Sequence, residues 1–257
     1  MAQKTSGILD RLLFHGSLRR WGREATDAKK AGLEQLRKSR GRARQLRGHL
    51  DRLIYEADSR LTLPLIGSNA MRRVPGMDWM WRPELWRGPL ARVGYSSVRN
   101  KTSIGSELTV FHDCEKSELT LRQVRNSRDD DLSPFGLRMD VFGFDGSFLS
   151  LVLDLPHESC EGLTRNQLVR LDCIVEMEKP LEIFARLNIK HGPNTEQIVR
   201  ELPLHESDVM VEFDLAYTKM NEKRIERMWI DLIFEGPEMN QVVLRDLTFG
   251  RLPRADL

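Results

Sequence analysis

Four groups of residues carry side chains that could do chemistry. In His112-Asp113-Cys114 an imidazole and a thiol lie two positions apart. On a strand those two share a face, so His112 could serve as base for a Cys114 nucleophile. No third triad member accompanies them, and a structural cysteine beside a polar histidine is the commoner arrangement. Asp129, Asp130 and Asp131 are adjacent carboxylates in a polar loop. They lack the alternating oxygen ligands of a calcium loop, so a solvated turn is the better reading, and neither metal nor cofactor is expected. Trp79, Trp81 and Trp86, with Arg82 and Arg87, form the aromatic-basic cluster of the chain. Indole rings are platforms for sugars and anchors at protein interfaces. Arg186, Asn188 and Lys190 alternate along one polar stretch and, with His191, could direct hydrogen bonds to sugar hydroxyls. The GxSxG, P-loop, GxGxxG and HExxH signatures are all missing, and the expectation is a non-enzymatic protein.

The elements that must position these groups are strands. Leu137, Met139 and Val141 alternate with Arg138 and Asp140, and Leu149, Leu151, Leu153 and Leu155 alternate with Ser150 and Asp154. Period-two alternation places apolar side chains on one face of a strand. Asp145-Gly146 between the two runs predicts a tight hairpin turn. The same alternation recurs over Val169–Met177, Leu181–Ile189 and Val209–Tyr217, and a last pair, 228–237 and 241–251, is predicted around Gly236-Pro237. About ten short strands with polar outer faces predict an antiparallel, jelly-roll-like β-sandwich over residues 103–257.

The part before the sandwich reads differently. Residues 1–60 predict a basic helical arm, with one helix over 7–21 and a longer one over 24–60. Leu36, Ala43, Leu50 and Ala57 recur every seven residues, with Leu46 and Leu53 between them, as in a short coiled-coil seam. Arg40, Arg42, Arg44 and Arg47 line the same stretch and are candidates for docking to an acidic partner. Residues 61–102 form a strap rich in proline and tryptophan. Residues 1–101 hold 22 Lys+Arg against 9 Asp+Glu, and residues 102–257 hold 18 against 29. Such a division informs on association, and a protein partner or homo-oligomer is expected. No recognition motif or aromatic interleaving accompanies the arginines, so nucleic acid is not the expected partner. The amphipathic face of 7–21 is too small and interrupted to predict membrane-surface binding. No apolar run is long enough to span a bilayer. Three cysteines without a CxxC pair fit synthesis in a reducing cytosol.

The stretches LRMDVFGFDGSFLSLVLDL, ARLNIKHGPN, WIDLIFEGP and VVLRDLTFGRLPRADL, together with FHDC and DWMWRPELW, resemble an uncharacterised alphaproteobacterial family of unknown function. The resemblance covers nearly the whole chain and implies no catalytic residues. The strand pattern is also similar to carbohydrate-binding jelly-roll modules. A further association, with phage-like gene transfer agents, implies a structural or adhesion role and incorporation into a phage-like particle. The resulting expectation is a glycan-binding or adhesion module whose arm mediates assembly. A pure assembly protein is the alternative, and a glycan-active enzyme is the third reading.

Overall fold

Helix-forming side chains produce two helices at the N-terminus, α1 (Gln3–Asp27) and α2 (Leu33–Leu65), the second carrying the seven-residue spacing of Leu36, Ala43, Leu50 and Ala57. The structure, a computed structural model, describes residues 3–65, 71–128 and 131–254. The helix break falls at 28–32 rather than near Gly22. Gly16 and Gly22 each cost the helix only about 1 kcal/mol, which neighbouring helix formers absorb. At the break, the Lys30 N–H turns back to the Asp27 carbonyl, and the Gly32 carbonyl accepts the Leu36 N–H of the next helix. The chain divides into two compact units, Met1–Glu56 and Ala57–Leu257.

The second unit is an antiparallel β-sandwich. Its elements are β1 (Trp79–Trp81), α3 (Glu84–Arg87), β2 (Gly94–Tyr95), β3 (Thr102–Ile104), β4 (Leu108–His112), β5 (Leu119–Arg125) and β6 (Phe135–Val141). There follow β7 (Leu149–Asp154), β8 (Gln167–Met177), β9 (Ile183–His191), β10 (Asn194–Glu201), β11 (Asp208–Asp214), β12 (Ile225–Phe234) and β13 (Asn240–Pro253). One sheet runs β11-β8-β13-β6-β5-β2, with β1 added to β13, and the other runs β10-β9-β12-β7-β4-β3. The alternating residues do what their period dictates. Val169, Leu171, Cys173 and Val175 of one sheet, and Leu149, Leu151, Leu153, Ile230 and Leu232 of the other, are buried in one core.

Two connections differ from the sequence expectation. The runs flanking Asp145-Gly146 are not a hairpin: β6 pairs with β5 and β13, whereas β7 pairs with β4 and β12. Residues 142–148 cross from one sheet to the other, a gap of about 10 Å that a two-residue turn cannot span. Gly146 does not adopt positive φ. A Cβ there would lie 2.5 Å from Asp113 Oδ1 and 2.9 Å from Cys114 Sγ, so its role is close approach. Likewise β12 and β13 belong to different sheets, with Gly236 (φ +56) in the arch between them. The turn after His191 is a true hairpin joining β9 and β10, with Gly192 at φ +60.

The strap becomes part of the seven-stranded sheet. β13 pairs with β6 over Asn240–Leu244 and with β1 over Phe249–Arg251. The changeover coincides with an irregularity between Leu244 and Asp246. There Arg82, 1% exposed, grips Asp246 with two parallel bonds, Nε to Oδ1 at 2.8 Å and Nη2 to Oδ2 at 2.7 Å. Asp246 Oδ1 also accepts the Leu247 N–H. Burial pushes the Asp246 carboxyl up, and the Arg82 guanidinium pulls against it. Trp86 donates Nε1–H to the Leu244 carbonyl, and Met77 packs on Gly250, where a Cβ would lie 2.7 Å from its Cε.

Removing one partner of a buried pair strands the other charge. Arg82→Met is therefore expected to destabilise the second unit by about 3–5 kcal/mol in urea unfolding. Arg82→Met/Asp246→Leu should recover most of that loss. A carboxyl whose folded pKa lies above its unfolded one favours the folded state as it protonates. The deficit of the single variant should accordingly narrow as pH falls through the carboxylate range.

Candidate functional site

Strand parity decides which side chains leave the core. On β12, Met228, Ile230, Leu232 and Phe234 are buried inward, so Trp229, Asp231 and Ile233 face outward. On β9 the outward positions are Phe184, Arg186, Asn188 and Lys190, and on β4 and β7 they are Thr109, Phe111, Ser150, Val152 and Asp154. Register then assembles them. Gln197 lies opposite Asn188, Asn188 opposite Trp229, and Trp229 opposite Asp154. In the adjacent rows Arg186 is opposite Asp231, and Phe184–Ile233–Ser150–Phe111 run across four strands.

The outer face of the six-stranded sheet thus combines aromatic rings with fixed polar groups. Asp231, 4% exposed, accepts from Arg186 Nε at 2.7 Å and from Asn188 Nδ2 at 3.1 Å. Gln197 Nε2 donates to Asn188 Oδ1 at 2.9 Å. The Arg227 guanidinium stands 5.0 Å from the centre of the half-buried Trp229 ring and bonds Asp154. Lys190 pairs with Glu226 at 2.7 Å, and that pairing holds the Glu226 carboxyl below its ordinary range. Each of these three cations has a carboxylate neighbour, so the face is close to neutral. The Ser150 hydroxyl, buried in the apolar row, has no hydrogen-bond partner among the described residues.

The sequence-derived candidates are distributed differently. Trp86 is fully buried with its N–H committed to Leu244, so it has no face to offer a sugar. Trp79 and Trp81 register with Arg251 and Phe249 and share their side of the sheet, packed partly on the core, with Trp81 5.7 Å from the Phe249 ring. Arg186 and Asn188 do share the outer face, but Asn188 is 1% exposed and serves as a spacer within the network. His191 has the opposite parity. It is buried, and its Nδ1 accepts the Asn221 N–H at 3.2 Å. Arg40, Arg42, Arg44 and Arg47 are exposed on α2. Trp229 was overlooked, although its position between Met228 and Ile230 was a legible sign that it points away from the core.

The His112–Cys114 dyad is not formed. His112 Nδ1 accepts the Cys114 backbone N–H at 3.2 Å, and its Nε2 donates to the Val98 carbonyl at 2.8 Å. Both ring nitrogens are occupied by backbone. Burial pushes the Cys114 thiol up, which keeps it protonated. Asp113 instead anchors residues 147–148, accepting from Ser147 Oγ at 2.6 Å, Ser147 N at 2.7 Å and Phe148 N at 3.3 Å. Asp129 and Asp130 lie outside the described residues. Asp131 is buried and accepts the Arg128 N–H at 2.8 Å.

Fold and face together define a jelly-roll-like β-sandwich with an ordered aromatic and polar outer surface. The chain belongs to the family of unknown function DUF6478, whose model matches residues 1–257. No curated protein matches it. Among solved structures it is similar to the family 11 carbohydrate-binding module from Clostridium thermocellum, at 11% identity and TM-score 0.36 over 64% of this chain and 98% of that one. It is similar to a xylan-binding domain from Paenibacillus barcinonensis at 10% identity and TM-score 0.37, over 64% and 95% of the two chains. It is also similar to the enzymatically active domain of bacteriophage CBA120 tailspike protein 4, at 10% identity and TM-score 0.42 over 61% of this chain. This chain spans 21% of that tailspike chain.

A thiol held protonated reacts slowly. Iodoacetamide labelling of Cys114 in the folded protein at neutral pH is expected to be slower than in the urea-unfolded chain, rising only above the ordinary thiol range. Mass spectrometry of the labelled peptides measures it, and rapid labelling at neutral pH would restore the nucleophile reading.

Proposed function

We propose that this protein is a non-enzymatic binding module. It takes neutral glycans on the outer face of the six-stranded sheet, while the basic helical unit mediates assembly. The observation that carries the glycan reading is the placement of Trp229 in a row of fixed hydrogen-bonding groups, flanked by Gln197 and Asn188 on one side and Asp154 on the other. The C–H faces of a sugar pack on aromatic and guanidinium planes, while its hydroxyls need donors and acceptors at defined positions. The Trp229–Arg227 pair supplies the planes. Gln197 and Arg186 supply directed polar groups. Pre-ordering by Asp231 lowers the entropy lost when a ligand is gripped. Balanced charge disfavours strongly anionic polymers. The carboxylates of the face that could act on a glycosidic bond, Asp154 and Asp231, are both tied to arginines, which supports binding rather than hydrolysis.

Assembly is supported by the helices themselves. Leu46, Leu50 and Leu53 are 38%, 46% and 65% exposed along α2, beside the exposed Arg40, Arg42, Arg44 and Arg47. An apolar helical stripe of this kind is normally covered by a partner.

A glycan array with the full-length protein, followed by titration calorimetry on the best neutral oligosaccharide, tests the site. Trp229→Ala is expected to weaken binding roughly thirty-fold, equivalent to about 2 kcal/mol, with Trp229→Tyr retaining most of the affinity. Unchanged affinity in a folded Trp229→Ala protein would move the site elsewhere, and an array without binding would remove the glycan reading.

A further inference from the structure

One end of the sandwich is built from the loops at 113–118, 142–148, 178–182 and 235–239. Register places them together: Val141 is opposite both Leu119 and Asn240, Leu149 is opposite both His112 and Phe234, and Phe234 is opposite Ile183. Three large apolar side chains project from this end, Phe142 at 55% exposure, Phe148 at 42% and Met239 at 61%. They are not on slack loops. The Met239 N–H bonds the Phe142 carbonyl at 3.0 Å, joining two of the loops. The Gly143 N–H donates to Glu118 at 2.9 Å, and Asp113 accepts from both Ser147 and Phe148. Met239 holds a φ of +51, an unfavourable conformation for a methionine, which shows how firmly its loop is determined. Exposed apolar residues on rigid backbone mark an interaction surface, because the ordering cost has already been met in folding.

The charge around these residues specifies the partner. Exposed Glu115, Glu118, Asp145, Glu178, Glu235 and Glu238 surround the three apolar side chains, against Lys116 and Lys179. An apolar patch with an acidic rim fits a helix that carries an apolar stripe between cations. The chain contains that complement. On α2, Leu46, Leu50, Leu53 and Ile54 fall at i, i+4, i+7 and i+8 and are all exposed, and Arg40, Arg42 and Arg44 precede them on the exposed surface. Two such stripes aligned in parallel would bring Arg42 and Arg47 of one helix close to those of the other, a like-charge penalty. Two acidic ends would repel as well.

We infer that the Phe142–Phe148–Met239 end of one molecule docks the α2 stripe of a second copy, giving head-to-tail self-association. The inference rests on the reading of the helical unit as an assembly element and names the surface it meets. A contact between two different patches is heterologous, and it closes into a ring or extends into a filament according to the rotation between copies.

Sedimentation velocity on full-length protein tests this. Wild type is expected to form larger species as concentration rises and to dissociate in high salt, since the rim charges are solvent-exposed. Phe142→Ser/Phe148→Ser and Leu50→Glu/Leu53→Glu should each be monomeric. Mixed in equal amounts they should form a one-to-one dimer, because each retains the half that the other has lost. Circular dichroism verifies folding. Should the serine variant misfold, Glu115→Lys/Glu238→Lys, which alters only the rim, should weaken association at least ten-fold.

Association that persists in the Phe142→Ser/Phe148→Ser protein would overturn the inference while leaving helix-mediated assembly standing. Association of the Leu50→Glu/Leu53→Glu protein would point to contact between acidic ends and overturn both. A wild type that remains monomeric at the highest attainable concentration would also overturn both. Cosedimentation of a monomeric wild type with phosphatidylcholine vesicles, lost in the serine variant, would assign this end to a lipid surface instead.

Discussion

The buried bond between Arg82 and Asp246 sets the geometry of the seven-stranded sheet. β13 is the longest strand and changes neighbours part-way, from β6 to β1. At that changeover its backbone is irregular, and two ionised groups are taken out of water. Desolvating each costs several kcal/mol, which only good geometry and additional hydrogen bonds offset. The two parallel guanidinium bonds and the Leu247 N–H provide both. The pair therefore specifies where the strap attaches more than it adds stability. Once Arg82 is registered, Trp86 reaches the Leu244 carbonyl on one side, and Met77 meets Gly250 on the other. A side chain at Gly250 would have to displace the Met77 thioether that packs there.

The outer faces of the two sheets differ in what their polar side chains surround. On the seven-stranded sheet Arg138 bonds Asp140 and Arg170 bonds Asp172, each pair two residues apart on one strand. Such partly exposed pairs satisfy each other and leave few directed groups for a ligand. Cross-strand pairs occur on both sheets, Arg245 with Glu176 on the seven-stranded one and, on the six-stranded one, bonds from β9 to β12 and from β10 to β9. Cross-strand bonds hold side chains at fixed lateral spacing, and on the six-stranded sheet they surround an indole.

Much of this was legible in the sequence because period-two alternation leaves little ambiguity about faces. The strands β8, β9 and β11 follow directly from their apolar positions, and so does the antiparallel sandwich. Pairing was not legible. Asp145-Gly146 and Gly236-Pro237 have turn-forming composition, yet both bridge the sheets, because local turn chemistry does not record which strand lies across the core. Composition did not reveal how the tryptophans are buried. Three in one segment draw the eye, but Trp86 fills the core and Trp81 stacks towards Phe249. Parity carries the information about direction that composition lacks. Trp229 alternates with four buried residues, and His191, three positions from Asn188, has to face the other way.

The residues that most resemble catalytic ones have been put to use as scaffolding. His112 closes on Val98 and on the Cys114 backbone, and Asp113 collects hydrogen bonds from Ser147 and Phe148. The Ser147 hydroxyl and these backbone donors hold the Asp113 carboxyl below its ordinary range. It remains ionised, and hence an acceptor, wherever ordinary carboxylates are ionised. Gly146 permits the approach that these bonds require. The consequence is a long connection between two sheets that is nevertheless rigid and presents Phe142 and Phe148 to solvent. A flexible loop would fold those rings onto the core to remove them from water. Their exposure follows from the backbone bonds that prevent it, so the His112-Asp113-Cys114 stretch that suggested a thiol enzyme helps explain why this end of the sandwich remains apolar.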